Sequence, residues 1–191
     1  MRQNQAKQVL YGLQFNVAQL LKEVTGATRS HNIEIEEAIG ELDGAAKIVG
    51  PITGQVRFLR TGSNILVTGL LQTIIQKSCG RCLTEFIVPI SLELEEEFYP
   101  TVDVVTGTTL PTSADADEAN RIDEQHLLDL WEVVRQGFLL VSDDYLYCRP
   151  DCRGLCPHCG QDRNQNPCNC QDELIDPRWA GLQGLEIEEE D

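Results

Sequence analysis

The first hundred residues repeat apolar and polar positions with the short period that is typical of β-strands. Residues 33–36 alternate Ile with Glu, and residues 46–60 and 65–77, separated by a turn at 61–64, are rich in Val, Ile, Leu and Thr. The clearest strand is predicted at 85–95, where one face holds Phe86, Val88, Ile90, Leu92 and Leu94. Because strand follows strand with little helix between, the pattern predicts antiparallel β structure.

Two segments have the longer period of a helix. Asn16 is a suitable cap for a short helix, whose apolar positions are Val17, Leu20, Leu21 and Val24. A longer amphipathic helix is predicted at 123–141, where the apolar stripe consists of Leu127, Leu130, Trp131, Val134, Phe138 and Val141. Residues 100–122, rich in Thr, Pro, Asp and Ala, show no period and predict a flexible acidic connector.

These patterns predict an α+β protein with one main domain and a small appendage. The predicted parts, in chain order, are a β-rich domain with the short helix (1–99), the connector (100–122), the amphipathic helix (123–141), a cysteine-rich metal segment (142–181) and an acidic tail (182–191).

The chain is expected to be cytoplasmic. Its first residues, MRQNQAKQVLYG, lack the apolar core and the cleavage site of a secretory signal, and no run approaches the length of a membrane span. Cytosolic thiols stay reduced. The eight cysteines therefore indicate metal or redox chemistry rather than disulfides.

The spacing of the cysteines is typical of thiolate metal sites. Two pairs have two residues between their sulfurs, CGRCL and CPHCG, which lets a tight turn direct both thiolates at one ion. Between 148 and 171 the only Leu, Ile, Val, Phe or Met is Leu155, so metal ligation is the expected way to order this segment. The candidate ligands are Cys79, Cys82, Cys148, Cys152, Cys156, Cys159, Cys168 and Cys170.

Several divisions of these ligands are compatible with the spacing. The most local one places Cys156, Cys159, Cys168 and Cys170 on one ion and the other four on a second ion. A zinc-ribbon division would instead combine Cys79, Cys82, Cys156 and Cys159, and one site with four free cysteines is a further alternative. Closed sites of four thiolates suit structural Zn²⁺, so one or two zinc ions are expected, with an iron–sulfur cluster as the rival. A dithiol oxidoreductase centred on Cys79 and Cys82 is the enzymatic alternative.

The net charge of −16 is unevenly distributed. Residues 1–90 have nine Lys/Arg and seven Asp/Glu, whereas residues 91–147 have two and fourteen, and residues 148–191 have four and ten. Phosphate binding needs cations, so a uniformly acidic surface excludes a default affinity for nucleic acid. The distribution predicts that any RNA contact lies in the first ninety residues and that the remainder suits basic proteins.

Four segments carry a resemblance to a known family: NVAQLLKEVTGATRSHNIE, CGRCL with a following strand that ends in EEEF, CRPDCRGLCPHCGQDRNQNPCNC, and DPRWAGL. Together, from about residue 8 to 185, they resemble the YceD family, the large ribosomal RNA subunit accumulation proteins. The resemblance implies a predicted metal-binding, bacterial protein that supports 23S ribosomal RNA synthesis, processing or stability, and so large-subunit assembly. It also implies that the six C-terminal cysteines are a structural addition, because some members have only the first pair.

The residues leave the direct partner open between ribosomal RNA and ribosome-assembly proteins. The acidic half from 91 to 191 suits basic proteins, whereas Arg57, Arg60, Lys77 and Arg81 could form a local RNA-binding patch. A zinc-stabilised interaction module unrelated to RNA is the alternative. No phosphate-binding Gly-Lys-Ser/Thr motif or nucleophile elbow is present, so neither an enzyme nor a small-molecule substrate is expected.

Overall fold

The computed structural model describes residues 12–36, 40–42, 46–111, 117–144, 147–170 and 178. In chain order its elements are β1 (Gln14–Asn16), α1 (Ala18–Lys22), β2 (Thr28–Ile35), β3 (Gly40–Glu41), β4 (Ala46–Ile48), β5 (Ile52–Thr61), β6 (Asn64–Ser78), β7 (Glu85–Pro100), a 3-10 turn (Glu118–Asn120), β8 (Arg121–Ile122), β9 (Leu127–Asp129) and α2 (Trp131–Ser142). The predicted α+β class, mostly antiparallel, is confirmed. The predicted acidic tail and the first residues of the chain lie outside the described residues.

The long strand β6 is the centre of the main sheet. Along one edge it pairs with β7 from Ile65 to Ser78, and along the other it pairs first with β5 and then with β4. β2 adds to the outer edge of β5. The strands β5 and β6 approach closely at Gly54, where a Cβ atom would lie 2.1 Å from the Leu70 carbonyl oxygen. The alternation of side chains along the strands gives the sheet one apolar face, as the sequence predicts. Where β5 and β6 approach at position 54, however, only glycine fits.

One face of this sheet forms the hydrophobic core, and the helices cover it. Leu20 and Leu21 of α1 and Val134 and Phe138 of α2 are buried against the inward positions of the strands. Those inward positions include Ile33, Val56, Phe58, Ile65, Val67, Leu71, Ile75, Ile90, Leu92, Leu94 and Phe98. None of the helices in the described ranges is long and apolar enough to cross a membrane.

The amphipathic helix begins later than the sequence pattern predicts. α2 starts at Trp131, whereas Leu127–Asp129 form β9, which pairs with β1. A turn precedes β9, because the Asp123 carboxylate accepts hydrogen bonds from the backbone N–H groups of Gln125 and Leu127. This turn places His126 at a positive φ of 59° and interrupts the helical path. The prediction of helix from 123 was wrong because strand pairing with a distant segment is not visible in local periodicity.

The short helix α1 ends before the predicted apolar stripe does. The Asn16 side chain accepts a hydrogen bond from the Ala18 backbone N–H, although Val17 is the residue at the cap position. Val24 lies beyond the helix and is 80% exposed, so its assignment to the buried stripe was wrong.

The predicted connector contains regular structure where it is described. Val102 pairs with Thr109, and the Asp103 carboxylate accepts hydrogen bonds from the N–H groups of the turn between them. Further along, β8 pairs in parallel with the end of β7 at Tyr99 and Pro100. This part of the chain therefore returns to the sheet before α2 begins.

Candidate metal centres

Two short turns with the same backbone design carry the paired cysteines. In the first, the Leu83 N–H donates to the Cys79 carbonyl and the Cys79 N–H donates to the Thr84 carbonyl, both at 2.9 Å. In the second, the Gly160 N–H donates to the Cys156 carbonyl and the Cys156 N–H donates to the Gln161 carbonyl, both at 2.8 Å. We call these the first and second knuckles, residues 79–84 and 156–161.

The fifth residue of each knuckle adopts a left-handed conformation. Gly160 has a φ of 72°, which glycine accepts without strain, whereas Leu83 has a φ of 60°. A non-glycine residue in this region costs about 1–2 kcal/mol, so the first knuckle needs stabilisation from outside the turn. In the sequence, the CxxC spacing indicated that the two knuckles have the same backbone. The residue after the second cysteine did not, because it is Leu83 in one knuckle and Gly160 in the other.

The eight cysteines assemble into two groups of four that could each hold a metal ion. The first centre consists of Cys79, Cys82, Cys148 and Cys152, and the second of Cys156, Cys159, Cys168 and Cys170. Within each group all four sulfur atoms lie within 4.8 Å of one another. The structure thus groups the sulfurs as in the most local division and not as in the zinc-ribbon alternative.

The distances between sulfurs fit a tetrahedral ion and not a disulfide. The Sγ atoms of Cys79 and Cys152 are 3.8 Å apart, and those of Cys82 and Cys148 are 3.7 Å apart. A tetrahedron with zinc–sulfur bonds of about 2.3 Å has sulfur–sulfur edges of about 3.8 Å. A disulfide requires about 2.05 Å, and all eight cysteines are free. The donor set and its spacing therefore fit Zn²⁺.

The two centres differ in burial. Cys79 is fully buried, Cys82 and Cys152 are 7% and 4% exposed, and Phe86 of β7 packs against them. In the second centre Cys156 is buried but Cys159 is exposed. The first centre therefore lies at the end of the sheet, and the second lies at the surface of the C-terminal segment.

The crowding of four sulfurs shifts the pKa of individual thiols in opposite directions. Burial raises the pKa of Cys79, but backbone N–H groups, that of Cys148 first, outweigh it and lower that pKa to about 6. In contrast, burial and the neighbouring sulfurs of Cys82 and Cys79 raise the pKa of Cys148 to about 12. Four thiolates at this spacing repel one another, and a bound dication would relieve that repulsion.

The second centre follows the same pattern. The backbone N–H groups of Cys159 and His158 lower the pKa of Cys156 to about 6. The sulfur of Cys159, together with burial, raises the pKa of Cys170 to about 12. His158 itself is exposed in the turn, and the metal-capable groups among the described residues contain only cysteine.

Polar groups outside the ligands donate to the sulfurs and connect the two centres. The Arg81 backbone N–H lies 3.4 Å from the Cys79 sulfur, and the Asn164 side-chain amide lies 3.5 Å from the Cys152 sulfur. Asn164 belongs to the loop of the second centre, and its carbonyl oxygen also accepts from the Arg153 N–H at 2.9 Å. Such hydrogen bonds orient the ligands and spread the charge on sulfur.

The C-terminal segment is tied to the sheet at the first knuckle. Arg81 stacks on the Tyr147 ring at 3.9 Å and donates to the Cys152 carbonyl, and its own carbonyl accepts from the Leu155 N–H. The buried Lys77 ammonium donates to the Ser142 carbonyl at 2.7 Å and so holds the end of α2 beside this knuckle. These contacts explain how a segment with almost no apolar residues is held against the domain.

The four basic residues that the sequence grouped as an RNA patch do not share a surface. Arg57 is exposed on the open face of the sheet, whereas Lys77 projects from the opposite face and is 8% exposed. Arg81 stacks on the Tyr147 ring and donates to the Cys152 carbonyl, and Arg60 donates to the Gly62 carbonyl. The structure therefore does not support the alternative of a shared RNA-binding patch, because side chains of a strand alternate between faces.

The comparisons with known proteins find one family model and several mycobacterial relatives. The family model described as Large ribosomal RNA subunit accumulation protein YceD matches residues 67–186, which include both centres. Uncharacterized proteins of Mycobacterium tuberculosis (strain ATCC 25618 / H37Rv) and Mycobacterium bovis are each 34% identical over 128 residues, 66% of this chain and 58% of theirs. A Mycobacterium leprae protein, also uncharacterized, is 29% identical over 133 residues, 69% of this chain and 58% of its own length.

This chain therefore matches less than two thirds of the length of these curated relatives. No solved structure matches it. The family model covers well over half of the chain, including β7, α2 and the eight sulfurs. The chain belongs to the YceD family of large ribosomal RNA subunit accumulation proteins.

Proposed function

We propose that this protein is a cytoplasmic, non-enzymatic factor that supports the accumulation of 23S ribosomal RNA and the assembly of the large ribosomal subunit. The observation that carries the proposal is the family match over residues 67–186. The family description names ribosomal RNA accumulation, and the matched region contains the central strands, α2 and both metal centres.

The metal centres have a structural role in this proposal. Each would hold one Zn²⁺ by four cysteine sulfurs, and such closed sites have no position for water or substrate. A bound zinc ion would neutralise part of the thiolate charge and fix the knuckles. The first centre would hold residues 147–170 against the sheet, and the second would order a segment that has no hydrophobic core of its own.

The charge favours a protein partner over RNA. The net charge is −16, and the four basic residues considered as an RNA-binding patch do not form one surface. Zinc bound by four thiolates would make each centre more negative by about two charges. A direct contact with basic proteins of the assembling large subunit is therefore consistent with the ribosomal RNA accumulation that the family description names. It is also consistent with the negative charge of this protein.

The proposal is tested by deleting the gene in its host and measuring the ratio of 23S to 16S ribosomal RNA, together with the 50S and 30S subunit peaks. We expect the 23S to 16S ratio and the 50S peak to fall and to recover with the wild-type gene. A Cys152→Ser variant should restore less than a Glu34→Gln control, because Glu34 is exposed and distant from both centres. An unchanged ratio in the deletion strain would contradict the proposed function.

A further inference from the structure

Within the part of the chain that the structure describes, the outer edge of β7 is open along most of its length. β7 has 16 residues and pairs with β6 on one side, whereas on the other side β8 pairs only with Tyr99 and Pro100. Between Glu85 and Phe98 no other described strand pairs with this outer edge. The side-chain amide of Asn120 donates to the Glu97 carbonyl at 3.2 Å and marks the end of the open part. An open edge of this length presents backbone N–H and C=O groups to an added strand.

A groove of about 730 Å³ runs beside this open edge. One wall is β7 from Leu92 to Glu97, and the other is α2, with Val133, Gly137, Leu140 and Val141. Gly137 lets the helix approach the strand, since a Cβ atom there would lie 2.7 Å from the Leu92 side chain. The groove therefore offers an extended chain both a strand edge and an apolar wall.

The two faces of the open edge differ in chemistry. On the open face of the sheet, Glu93 and Glu95 are exposed and form no ion pair among the described residues. On the face toward α2, the nearly buried Leu92 and Leu94 lie beside Leu140, which is 73% exposed. Glu96 follows them on this face, and its carboxylate accepts a hydrogen bond from the Asn120 side chain. Among the described residues that line the groove there is no Lys or Arg. Because side chains of a strand alternate between faces, a strand added beside residues 92–95 would meet Glu93 and Glu95 on one face and apolar side chains on the other.

We propose that the outer edge of β7 binds an extended segment of a basic protein as an additional β-strand. The segment would alternate Lys or Arg with apolar residues. Its cations would lie beside Glu93 and Glu95, and its apolar side chains would contact Leu92, Leu94 and Leu140. The inference rests on the proposed function, because ribosome assembly is where this protein would encounter a basic protein partner. It adds the chemical class of that partner and the site where the partner binds. Nucleic acid is disfavoured, since the described lining of the groove has acidic and no basic side chains.

The groove fixes the length of the probe. Residues 92–97 span about 20 Å in an extended conformation, so a peptide of about six residues that alternates lysine and leucine should fill the groove. The control peptide has the same composition, with the lysines and leucines in separate blocks. Binding of labelled peptides to the full, zinc-loaded protein is measured by fluorescence anisotropy at low and high salt. We expect the alternating peptide to bind at least tenfold more tightly than the block peptide and to weaken as salt rises.

Charge reversal locates the binding site. The double variant Glu93→Lys/Glu95→Lys should weaken binding of the alternating peptide by about tenfold or more, because two attractions become repulsions. The matched control Glu34→Lys/Glu36→Lys makes the same change in net charge at exposed positions near β2, and it should leave binding within about twofold. Equal weakening by both variants would mean unspecific attraction to an acidic protein and would overturn the inference.

Hydrogen exchange tests strand addition itself. On peptide binding we expect slower amide exchange in residues 91–97, because β7 amides would gain hydrogen bonds at the open edge. Two further peptides, N-methylated on all lysines or on all leucines, should behave differently, since only alternate residues of an added strand donate to its neighbour. One of them should lose binding and the other should retain it.

Several results would overturn this inference: no binding of the alternating peptide, unchanged exchange in β7, or tighter binding of single-stranded RNA at the same groove. The carboxylates of Glu93 and Glu95 would then serve only to prevent unwanted pairing of this edge with other strands. These outcomes are distinct from a failure of the proposed function, since a deletion strain can lose 23S ribosomal RNA while the purified protein ignores the peptide.

Discussion

The two metal centres should contribute very differently to the global stability of the protein. The first centre joins Cys82 to Cys148 and so closes a loop with 65 residues between these cysteines. By analogy with a disulfide, closing a loop of this size removes chain entropy worth about 4 kcal/mol from the unfolded state. We therefore expect Cys152→Ser to lower the free energy of unfolding by up to about 4 kcal/mol.

The second centre closes only the segment from Cys156 to Cys170, outside the hydrophobic core of the sheet. Its loss would release the loop locally while the core cluster stays packed. We expect Cys170→Ser to lower the free energy of unfolding of the sheet by less than about 1 kcal/mol, although one zinc ion per chain is lost. The two variants have the same chemical change and serve as controls for one another.

Urea unfolding followed by far-ultraviolet circular dichroism measures this difference on the β-sheet. With a denaturant dependence of about 2 kcal/mol per molar urea, the Cys152→Ser midpoint should fall by about 2 M and the Cys170→Ser midpoint by less than about 0.5 M. Equal shifts for the two variants, or a larger shift for Cys170→Ser, would refute the assignment of the first centre as the link between the sheet and the C-terminal segment.

Three further predictions follow from single residues. Gly54→Ala should lower the free energy of unfolding by more than about 3 kcal/mol, since the added Cβ atom would lie 2.1 Å from a backbone oxygen. Gly62→Ala, at a φ of 73° but with open space around it, should lower that free energy by only about 1 kcal/mol. Equal decreases in the melting temperatures of the two variants would contradict this prediction. Asn164→Ala removes a hydrogen-bond donor to the Cys152 sulfur but no metal ligand, so both zinc ions should still bind. Competition with a chelator should show that zinc binds about tenfold more weakly at one centre. An unchanged zinc affinity would argue against a role for the hydrogen bond from Asn164 to Cys152. Protons compete with zinc for thiolates, and bound zinc shifts that competition below the metal-free pKa of Cys156, about 6. Zinc release to a chromophoric chelator should therefore rise as the pH falls from about 6 to about 4, and full retention at about pH 4 would contradict thiolate ligation.

Strand structure and the two CxxC knuckles could be predicted from the sequence because both depend on short spacings, whereas the division of the eight cysteines between two centres could not. The alternation from 85 to 95 identified β7, and CGRCL and CPHCG identified the knuckles. What the sequence could not provide depends on long-range pairing. β9 pairs with β1, more than a hundred residues away, and this pairing overrides the helical period that begins at Leu127.

The basic patch failed for a related reason. Arg57 and Lys77 lie on neighbouring strands, but only the register of β5 and β6 determines that they project from opposite faces. Lys77 also shows that a charged residue in a strand can be buried when a helix end supplies its acceptor, here the Ser142 carbonyl. Similarly, the open edge of β7 follows from strand order, which local patterns do not encode.

We propose that the eight cysteine sulfurs hold two structural zinc ions, four sulfurs to each ion, in the grouping that the structure shows. Elemental analysis of the purified protein, combined with counting of reactive thiols before and after chelation, tests this proposal. We expect two zinc ions per chain, few reactive thiols in the native protein and eight after zinc is removed. One zinc ion with four reactive thiols, iron with sulfide, or a metal-free protein with disulfides would contradict it.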